Sequence, residues 1–245
     1  MPTPAKSYIS VVSAAGVAAM AYAFLLPSRP RDLFRFGIYF LLSLLAAMLK
    51  LRLPGLTGTM SLGFVFVLLS ISELTLPETM SIATAGVVLQ CLWRVKVRPT
   101  SAQVVFSVSA VAVAALLAFG ATGLVRSRLH LDSVTILLAV ATCVYFLANS
   151  ALISGVLSFV KRESFAAVWQ HCYLVAFPYY LLGGVVAGLV AASGRQFGWP
   201  PALLIMPAMG MIFLFYRLYL ARFLATPSAI PTQPAALRAV QSRTA

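Results

Sequence analysis

The chain has 245 residues, of which 61% are hydrophobic and only 9% are charged, and its mean hydropathy is +0.96. Soluble proteins are roughly 45–50% apolar and about 25% charged, so this composition excludes a soluble enzyme. Eighteen Lys and Arg against five Asp and Glu give a formal net charge of +13. The chain has no basic run with interleaved aromatic residues, so this charge indicates cytoplasmic loops and anionic lipid rather than nucleic acid.

The hydropathy pattern predicts eight membrane-spanning helices, since a helix needs about 20 mainly apolar residues to cross a bilayer. In chain order they are Tyr8–Leu26, Phe34–Leu49, Met60–Leu76, Glu78–Trp93, Gln103–Val125, Ser133–Val160, His171–Ser193 and Pro200–Leu220. They form one all-α polytopic transmembrane domain over residues 1–225, followed by a predicted disordered tail at 226–245. The first span contains Ala21-Tyr22-Ala23, a spacing typical of signal-peptide cleavage. Its apolar run is longer than a signal segment, so an uncleaved first helix is expected.

The positive charges between the predicted spans give the orientation. Twelve of the eighteen Lys and Arg fall on the side of the N-terminus, and six fall on the opposite side. Because positively charged loops stay in the cytoplasm, both termini are predicted to be cytoplasmic. We therefore expect a multi-pass protein of the inner (cytoplasmic) membrane whose main partner is the lipid bilayer.

The passage from the second span to the third contains several polar residues. The second span is only about sixteen residues long and runs into Pro54-Gly55, followed by Thr57, Thr59 and Ser61. Non-helical backbone at such a place must be satisfied by protein, water or ligand, and short or broken helices mark binding sites in several transporter folds. The alternative is an ordinary cytoplasmic turn in which Thr59 or Ser61 caps the next helix.

Glu73 is the only acid inside a predicted apolar segment, and it lies near the far end of the third span. An isolated carboxylate there is expected to be protonated or paired. Glu73 therefore contacts a ligand, takes up a proton, or faces water at the membrane edge. Glu78 has a structural explanation, because Thr75-Leu76-Pro77-Glu78 is typical of a capping box at the start of a helix.

Polar residues deeper in the spans complete the candidate ligand-binding set. Gln90 and Asn149 lie in the fourth and sixth spans, where side-chain amides join helices more often than they contact ligands. In the seventh span, Pro178 is expected to kink the helix. Tyr179 and Tyr180 follow it, and they either pack against neighbouring helices or line an aromatic pocket.

The remaining small and reactive residues indicate packing rather than chemistry. Gly184 and Gly188 have the spacing that allows a neighbouring helix to approach closely. Cys91, Cys143 and Cys172 lack the spacing of a metal or redox site and are expected to be free thiols. The sequence has no phosphate-binding loop, nucleophile elbow or zinc-protease motif, and its five acids are too few for hydrolysis or phosphoryl transfer. We predict no catalytic activity, no cofactor and no metal.

Several short motifs follow one another in order along the chain. They are Leu51–Phe66, Glu73–Thr79, Val88–Arg94, Val144–Asn149, Phe177–Gly184 and Tyr216–Leu220. This series resembles the N-terminal multi-pass membrane region that precedes HD-GYP or GGDEF domains in acidobacterial-type signalling proteins. In that family the membrane region is taken to be a sensory input to a domain that makes or degrades cyclic di-GMP. The sequence after Arg222 has no counterpart of the HD or GGDEF catalytic residues, so the resemblance implies an input module without that output domain.

The sequence leaves three functions open. The first is a membrane sensory or ligand-binding module that signals through a cytoplasmic partner. The second is a small-molecule transporter subunit, similar to the substrate-binding component of energy-coupling-factor transporters, which works with an ATPase partner. The third is a scaffold or lipid-associated protein without a small ligand. A homo-oligomer is compatible with each of them.

Overall fold

The computed structural model describes residues 3–27, 32–52, 59–93, 99–172 and 176–197, and the single positions 207, 210, 211, 214 and 218. At positions 51, 52, 59, 60, 171, 172 and 195–197 it describes the backbone alone. The chain divides into two units, Met1–Met209 and Gly210–Ala245. The described residues of the second unit are helical, and the predicted tail at 226–245 lies outside the described residues.

The described part of the first unit is a helical bundle with one short hairpin. Its helices are α1 (Thr3–Leu25), α2 (Leu33–Met48), α3 (Phe64–Glu73), α4 (Leu76–Leu92), α5 (Ser101–Leu129), α6 (Val134–Lys161), α7 (Phe165–Cys172) and α8 (Phe177–Phe197). Strands β1 (Lys50–Arg52) and β2 (Thr59–Ser61) pair antiparallel between α2 and α3. Among the described residues, four helices are long and apolar enough to cross a membrane, namely α1, α5, α6 and residues Phe177–Gly194 of α8. The expectation of a bundle of apolar helices is confirmed.

Contacts near the helix termini define two opposite ends of the bundle. At the hairpin end, Lys50 of β1 donates a hydrogen bond to the carbonyl of Trp93, directly after α4. At the Glu73 end, Arg35 in the first turn of α2 forms an ion pair with Glu73, the last residue of α3 (3.1 Å). Helix α2 therefore runs from the Glu73 end to the hairpin end, α3 runs back, and α4 returns to the hairpin end.

Helix α3 lies at the centre of the bundle and is shorter than the sequence predicts. It contacts α2, α4, α5, α6 and α8, and all of its residues from Phe64 to Ile71 are buried. At 1.5 Å per residue, its ten residues extend about 15 Å, about half of the hydrocarbon core of a bilayer. The predicted span Met60–Leu76 is shortened at both ends, because Thr59–Ser61 is extended and pairs with β1, and because Thr75 begins the next helix.

A capping box formed by nearby residues starts α4 directly after α3. The Thr75 amide donates to Glu78 Oε2 (2.8 Å), and the Thr75 hydroxyl donates to the same oxygen (2.6 Å). Pro77 lies in the first turn of α4, where its missing N–H removes no helical hydrogen bond. The structural role predicted for Glu78 is confirmed.

The region predicted as the seventh span contains two helices. Helix α7 ends at Cys172, so His171 lies in the last turn of a short helix and does not open a span. Helix α8 begins at Phe177, and Pro178 is its second residue. A proline in the first turn starts a helix without bending it, because the N–H that it lacks has no helical acceptor there. The expected kink at Pro178 is therefore wrong.

Adjacent glycines bring α8 close to two neighbouring helices at once. A Cβ atom on Gly183 would overlap the ring of Phe64 on α3. A Cβ atom on Gly184 would overlap the side chain of Thr142 on α6. The close packing predicted for Gly184 is thus confirmed, and it supplies the van der Waals contact on which helix association in a membrane depends.

Candidate functional site: three polar clusters and an apolar groove

A charged cluster at the Glu73 end joins α2 to α3. Glu73 Oε2 accepts hydrogen bonds from Arg35 Nη1 (3.1 Å) and from the hydroxyl of Tyr39 (2.7 Å). The Glu73 side chain is 13% exposed, the Arg35 side chain is 31% exposed, and Tyr39 is buried. The acid is paired, in agreement with the expectation that a carboxylate in this segment is protonated or paired.

Helix α2 presents both donors of this cluster on one face, because Arg35 and Tyr39 are four residues apart. Asp32 caps α2 through Oδ1, which accepts from the amides of Phe34 and Arg35 (both 3.1 Å). Its other oxygen lies 3.8 Å from Arg35 Nε. Glu73 ends α3, where the helix dipole disfavours an anion, but Arg35 and the positive start of α2 offset this cost.

Helix α8 closes a third side of the cluster. Gly194 lies next to Glu73, and a Cβ atom on Gly194 would be 3.8 Å from Glu73 Oε1. Arg35 and Tyr39 both bind the other oxygen, Oε2. The carboxylate is thus enclosed by α2, α3 and α8, with Oε1 directed towards a helix position that carries no side chain.

Ser61 and Gln90 form a second cluster, at the hairpin end. The Ser61 hydroxyl donates to Gln90 Oε1 (2.9 Å) and ties β2 to α4. The N-cap of α3 is Gly63, so the alternative in which Thr59 or Ser61 caps this helix is wrong. The Thr59 backbone pairs with β1, and Thr57 lies outside the described residues.

Asn149, Tyr179 and Tyr180 belong to a third, aromatic cluster between α3, α6 and α8. Asn149 Nδ2 donates to the Tyr180 hydroxyl (3.2 Å). The ring of Tyr180 lies 4.7 Å from that of Phe64 and 5.1 Å from that of Phe146, measured between centroids. Tyr179 also packs against Phe64, at 5.3 Å. These rings are all buried and pack against one another.

An apolar groove of about 870 Å³ lies on the surface of the bundle near the Glu73 end. The end of α1 with the two residues that follow it, the junction of α3 with α4, and the second half of α5 form its sides, and Val144 of α6 completes the lining. Leu74 and Thr75, which directly follow Glu73, are among the lining residues. This groove cannot be recognised in the sequence, since its sides come from distant parts of the chain.

Of the eight predicted site residues, those that the structure describes do not share one location. Ser61 contacts Gln90, and Asn149 contacts Tyr180. Phe64, which packs against Tyr180, opens α3, whereas Glu73 closes it, so about 15 Å of helix separates the aromatic and charged clusters.

Sequence analysis missed two members of the charged cluster, Arg35 and Tyr39. It counted Arg35 only as a charge that sets orientation, although this residue lies inside the predicted second span. The available signal was an arginine and a tyrosine one helical turn apart in an apolar segment, with a lone acid in the next segment.

Neither metal ligation nor a known family accounts for these clusters. Within the described residues, no group of three or more His, Cys, Asp or Glu side chains is placed to hold a metal ion. Cys91 and Cys143 are free thiols, as predicted. Comparison of the chain with protein-family models, curated proteins and solved structures gives no match. The case for a function therefore rests on the fold and on the clusters themselves.

Proposed function

We propose that this chain is a membrane sensory or ligand-binding module that receives its input at the Glu73 end and signals through a cytoplasmic partner. The observation that carries the proposal is the Arg35–Glu73–Tyr39 cluster, a charged network inside an apolar bundle. Ionisable residues in membrane segments are costly and mark functional sites by default. Packing alone gives no reason to keep such a pair, because apolar residues in its place are often neutral or stabilising.

The geometry gives a ligand two points of access to this cluster. Arg35 is 31% exposed, so a polar ligand can reach the guanidinium from the aqueous side. Glu73 Oε1 faces Gly194 and is a hydrogen-bond acceptor that neither Arg35 nor Tyr39 uses. A ligand that draws Arg35 away from Glu73 would loosen α2 from α3, whereas a donor to Oε1 would bind without displacing Arg35 or Tyr39. Because α3 also packs against α4, α5, α6 and α8, this short helix is the element that would transmit the change to the hairpin end.

We further propose the eight-span topology, with the hairpin end and both termini in the cytoplasm. The count of Lys and Arg supports this orientation, since twelve of the eighteen fall on the side of the termini and six on the opposite side. Among the described residues, Lys6, Lys50, Lys161 and Arg162 lie at the hairpin end, and Arg35, Arg126 and Arg128 lie at the Glu73 end. The side richer in Lys and Arg stays in the cytoplasm, and Asp and Glu contribute little to this choice.

Reporter fusions test the orientation directly. A reporter that is active only outside the cytoplasm should be active when fused after Leu131, between α5 and α6, and inactive when fused after Glu163, between α6 and α7. The opposite pattern would overturn the orientation, and activity at both positions would overturn the spanning role of α6.

The sensory function is tested with chromosomal variants in the host bacterium. Glu73→Gln keeps the size of the side chain and removes the charge that holds Arg35. We expect it to change the cellular level of cyclic di-GMP as deletion of the gene does, where the cytoplasmic partner is an HD-GYP or GGDEF protein of the kind that the resemblance names. Glu163→Gln, at an exposed acid of the hairpin end, is the matched control and should have no effect. Unchanged cyclic di-GMP in both the deletion strain and the Glu73→Gln strain would reject a sensory function that acts through cyclic di-GMP.

Native mass spectrometry of the purified protein separates ligand binding from a scaffold role. A small molecule that is retained by the wild type and lost in Glu73→Gln supports binding at the charged cluster. Retention of no small molecule by either protein would favour a scaffold or lipid-associated protein. The same spectra give the oligomeric state, and a homo-oligomer is compatible with each function.

A transporter subunit is the second candidate, and the length of α3 favours it. Discontinuous helices that end inside a bundle line substrate sites in several transporter folds. Helix α3 extends about 15 Å and ends at a charged pair, in agreement with that arrangement. Co-purification with an ATPase module and loss of solute uptake on deletion would support transport. Unchanged uptake of candidate solutes in the deletion strain would oppose it.

A further inference from the structure

The apolar groove has the size of a ligand site and a lining made mostly of hydrocarbon. Its volume of about 870 Å³ falls within the roughly 300–1,000 Å³ typical of small-molecule sites. Leu74 and Pro77 line one side, and residues of α5 from Leu116 to Leu124 line another. The hydroxyl of Thr75, which also lies in the lining, already donates to Glu78 (2.6 Å). A polar ligand would leave polar groups without hydrogen-bond partners in this groove, whereas an apolar chain has no such groups.

Gly120 leaves part of the groove open. A Cβ atom at this position would meet no atom within 4 Å, so a side chain can begin here without overlap, and a larger one would extend into the groove that Gly120 lines. Gly123, on the same helix, is equally exposed and equally free of neighbours, but it does not line the groove. The two glycines therefore differ in their relation to the groove and not in local packing.

The groove leads along α5 to a basic residue. Leu117, Leu124 and Arg128 share one face of the helix, because seven and then four residues separate them. At 1.5 Å per residue, Leu117 and Arg128 lie about 16 Å apart along the axis, which is about the hydrocarbon thickness of one leaflet. Arg128 is exposed and forms no ion pair with any described residue, whereas Arg126 pairs with Asp132 (3.3 Å).

We propose that this groove binds one acyl chain of an acidic phospholipid whose phosphate contacts Arg128. Arginine forms strong, charge-assisted hydrogen bonds with phosphate, and its planar guanidinium matches the phosphate oxygens. The distance from Leu117, near the far end of the groove, to Arg128 matches the distance from the end of an acyl chain to its headgroup within one leaflet. This site is separate from the Arg35–Glu73 pair, and the proposal does not rest on the proposed function.

The test uses the full-length protein, purified in detergent and analysed by native mass spectrometry with phosphatidylglycerol or phosphatidylcholine added. We expect one phosphatidylglycerol to be retained per chain, and severalfold less phosphatidylcholine, because the choline group opposes the positive charge of Arg128. Gly120→Leu should lower phosphatidylglycerol retention about tenfold by filling the groove. Gly123→Leu is the matched control and should retain the lipid as the wild type does.

The headgroup contact has its own variant and its own control. Arg128→Gln should lower phosphatidylglycerol retention about tenfold and remove the preference over phosphatidylcholine. Lys161→Gln removes a positive charge from the hairpin end and should leave retention unchanged. Arg128 is exposed, so Arg128→Gln should leave the fold intact. Circular dichroism shows whether Gly120→Leu disturbs folding, and if it does, Arg128→Gln and its control Lys161→Gln still test the lipid site.

The opposing outcomes are distinct from one another. Equal retention by the wild type and Gly120→Leu, or equal loss in Gly120→Leu and Gly123→Leu, overturns the groove as the lipid site. Retention that does not depend on Arg128 or on the headgroup overturns the phosphate contact. A change from dimer to monomer in Gly120→Leu, without a change in bound lipid, identifies a second copy of the chain as the occupant and overturns the proposal.

Discussion

Replacing both Arg35 and Glu73 by methionine should destabilise the protein less than replacing either residue alone. The pair is joined by one hydrogen bond of 3.1 Å, with the two side chains 31% and 13% exposed. Exposed ion pairs contribute about 0–1 kcal/mol, whereas breaking a fully buried pair costs about 3–5 kcal/mol. The intermediate exposure predicts a coupling energy of about 1–3 kcal/mol between the two residues.

The two single variants should differ in their cost. In Glu73→Met, Arg35 keeps Asp32, whose Oδ2 lies 3.8 Å from its Nε. In Arg35→Met, Glu73 keeps only the hydroxyl of Tyr39 and has no positive partner among the described residues. We therefore expect Arg35→Met to be the more destabilising change. The double variant places apolar side chains between apolar helices and should lie within about 1 kcal/mol of the wild type.

Thermal unfolding of the purified protein, followed by circular dichroism, measures these differences. For a chain of this size, about 1 kcal/mol shifts the Tm by about 2–4 °C. A coupling energy of about 2 kcal/mol thus gives a Tm for the double variant about 4–8 °C above the value expected from adding the single effects. Tyr39→Phe reports the separate contribution of the hydroxyl. Additivity of the two methionine variants within about 0.5 kcal/mol would refute the energetic contact between Arg35 and Glu73.

Two further predictions concern packing and hydrogen bonding inside the bundle. Gly16→Ala should lower stability by about 1–3 kcal/mol, because its Cβ would overlap the backbone of Ser109, whereas Gly37→Ala, with no atom within 4 Å, should raise it by about 0.5–1 kcal/mol. Equal melting temperatures would contradict the close approach of α1 to α5. Tyr180→Phe removes the acceptor of Asn149 and should cost about 0.6–1.7 kcal/mol, and adding Asn149→Leu should recover most of this loss. No recovery in the double variant would show that packing, and not the hydrogen bond, sets the cost.

The sequence by itself determined the features that depend on nearby residues. Long apolar runs predict α1, α5 and α6, because a helix that satisfies its own backbone is the form such runs take in lipid. The capping box is equally local, since Thr75 and Glu78 are three residues apart and bind each other directly. Glu73 could be singled out on the same basis, because an acid inside an apolar run is visible without any knowledge of its neighbours.

Only the tertiary structure decided which distant residues contact those that the sequence singles out. Arg35 lies 38 positions from Glu73 in the chain, and no local pattern states that α2 and α3 bring their side chains to 3.1 Å. The short length of α3 depends on the pairing of β2 with β1, which replaces helical hydrogen bonds with hairpin ones. The groove next to α5 likewise exists only where α5 meets the end of α1, the junction of α3 with α4, and α6. Contacts between distant segments depend on how the helices pack, and hydropathy along a single chain contains little of that information.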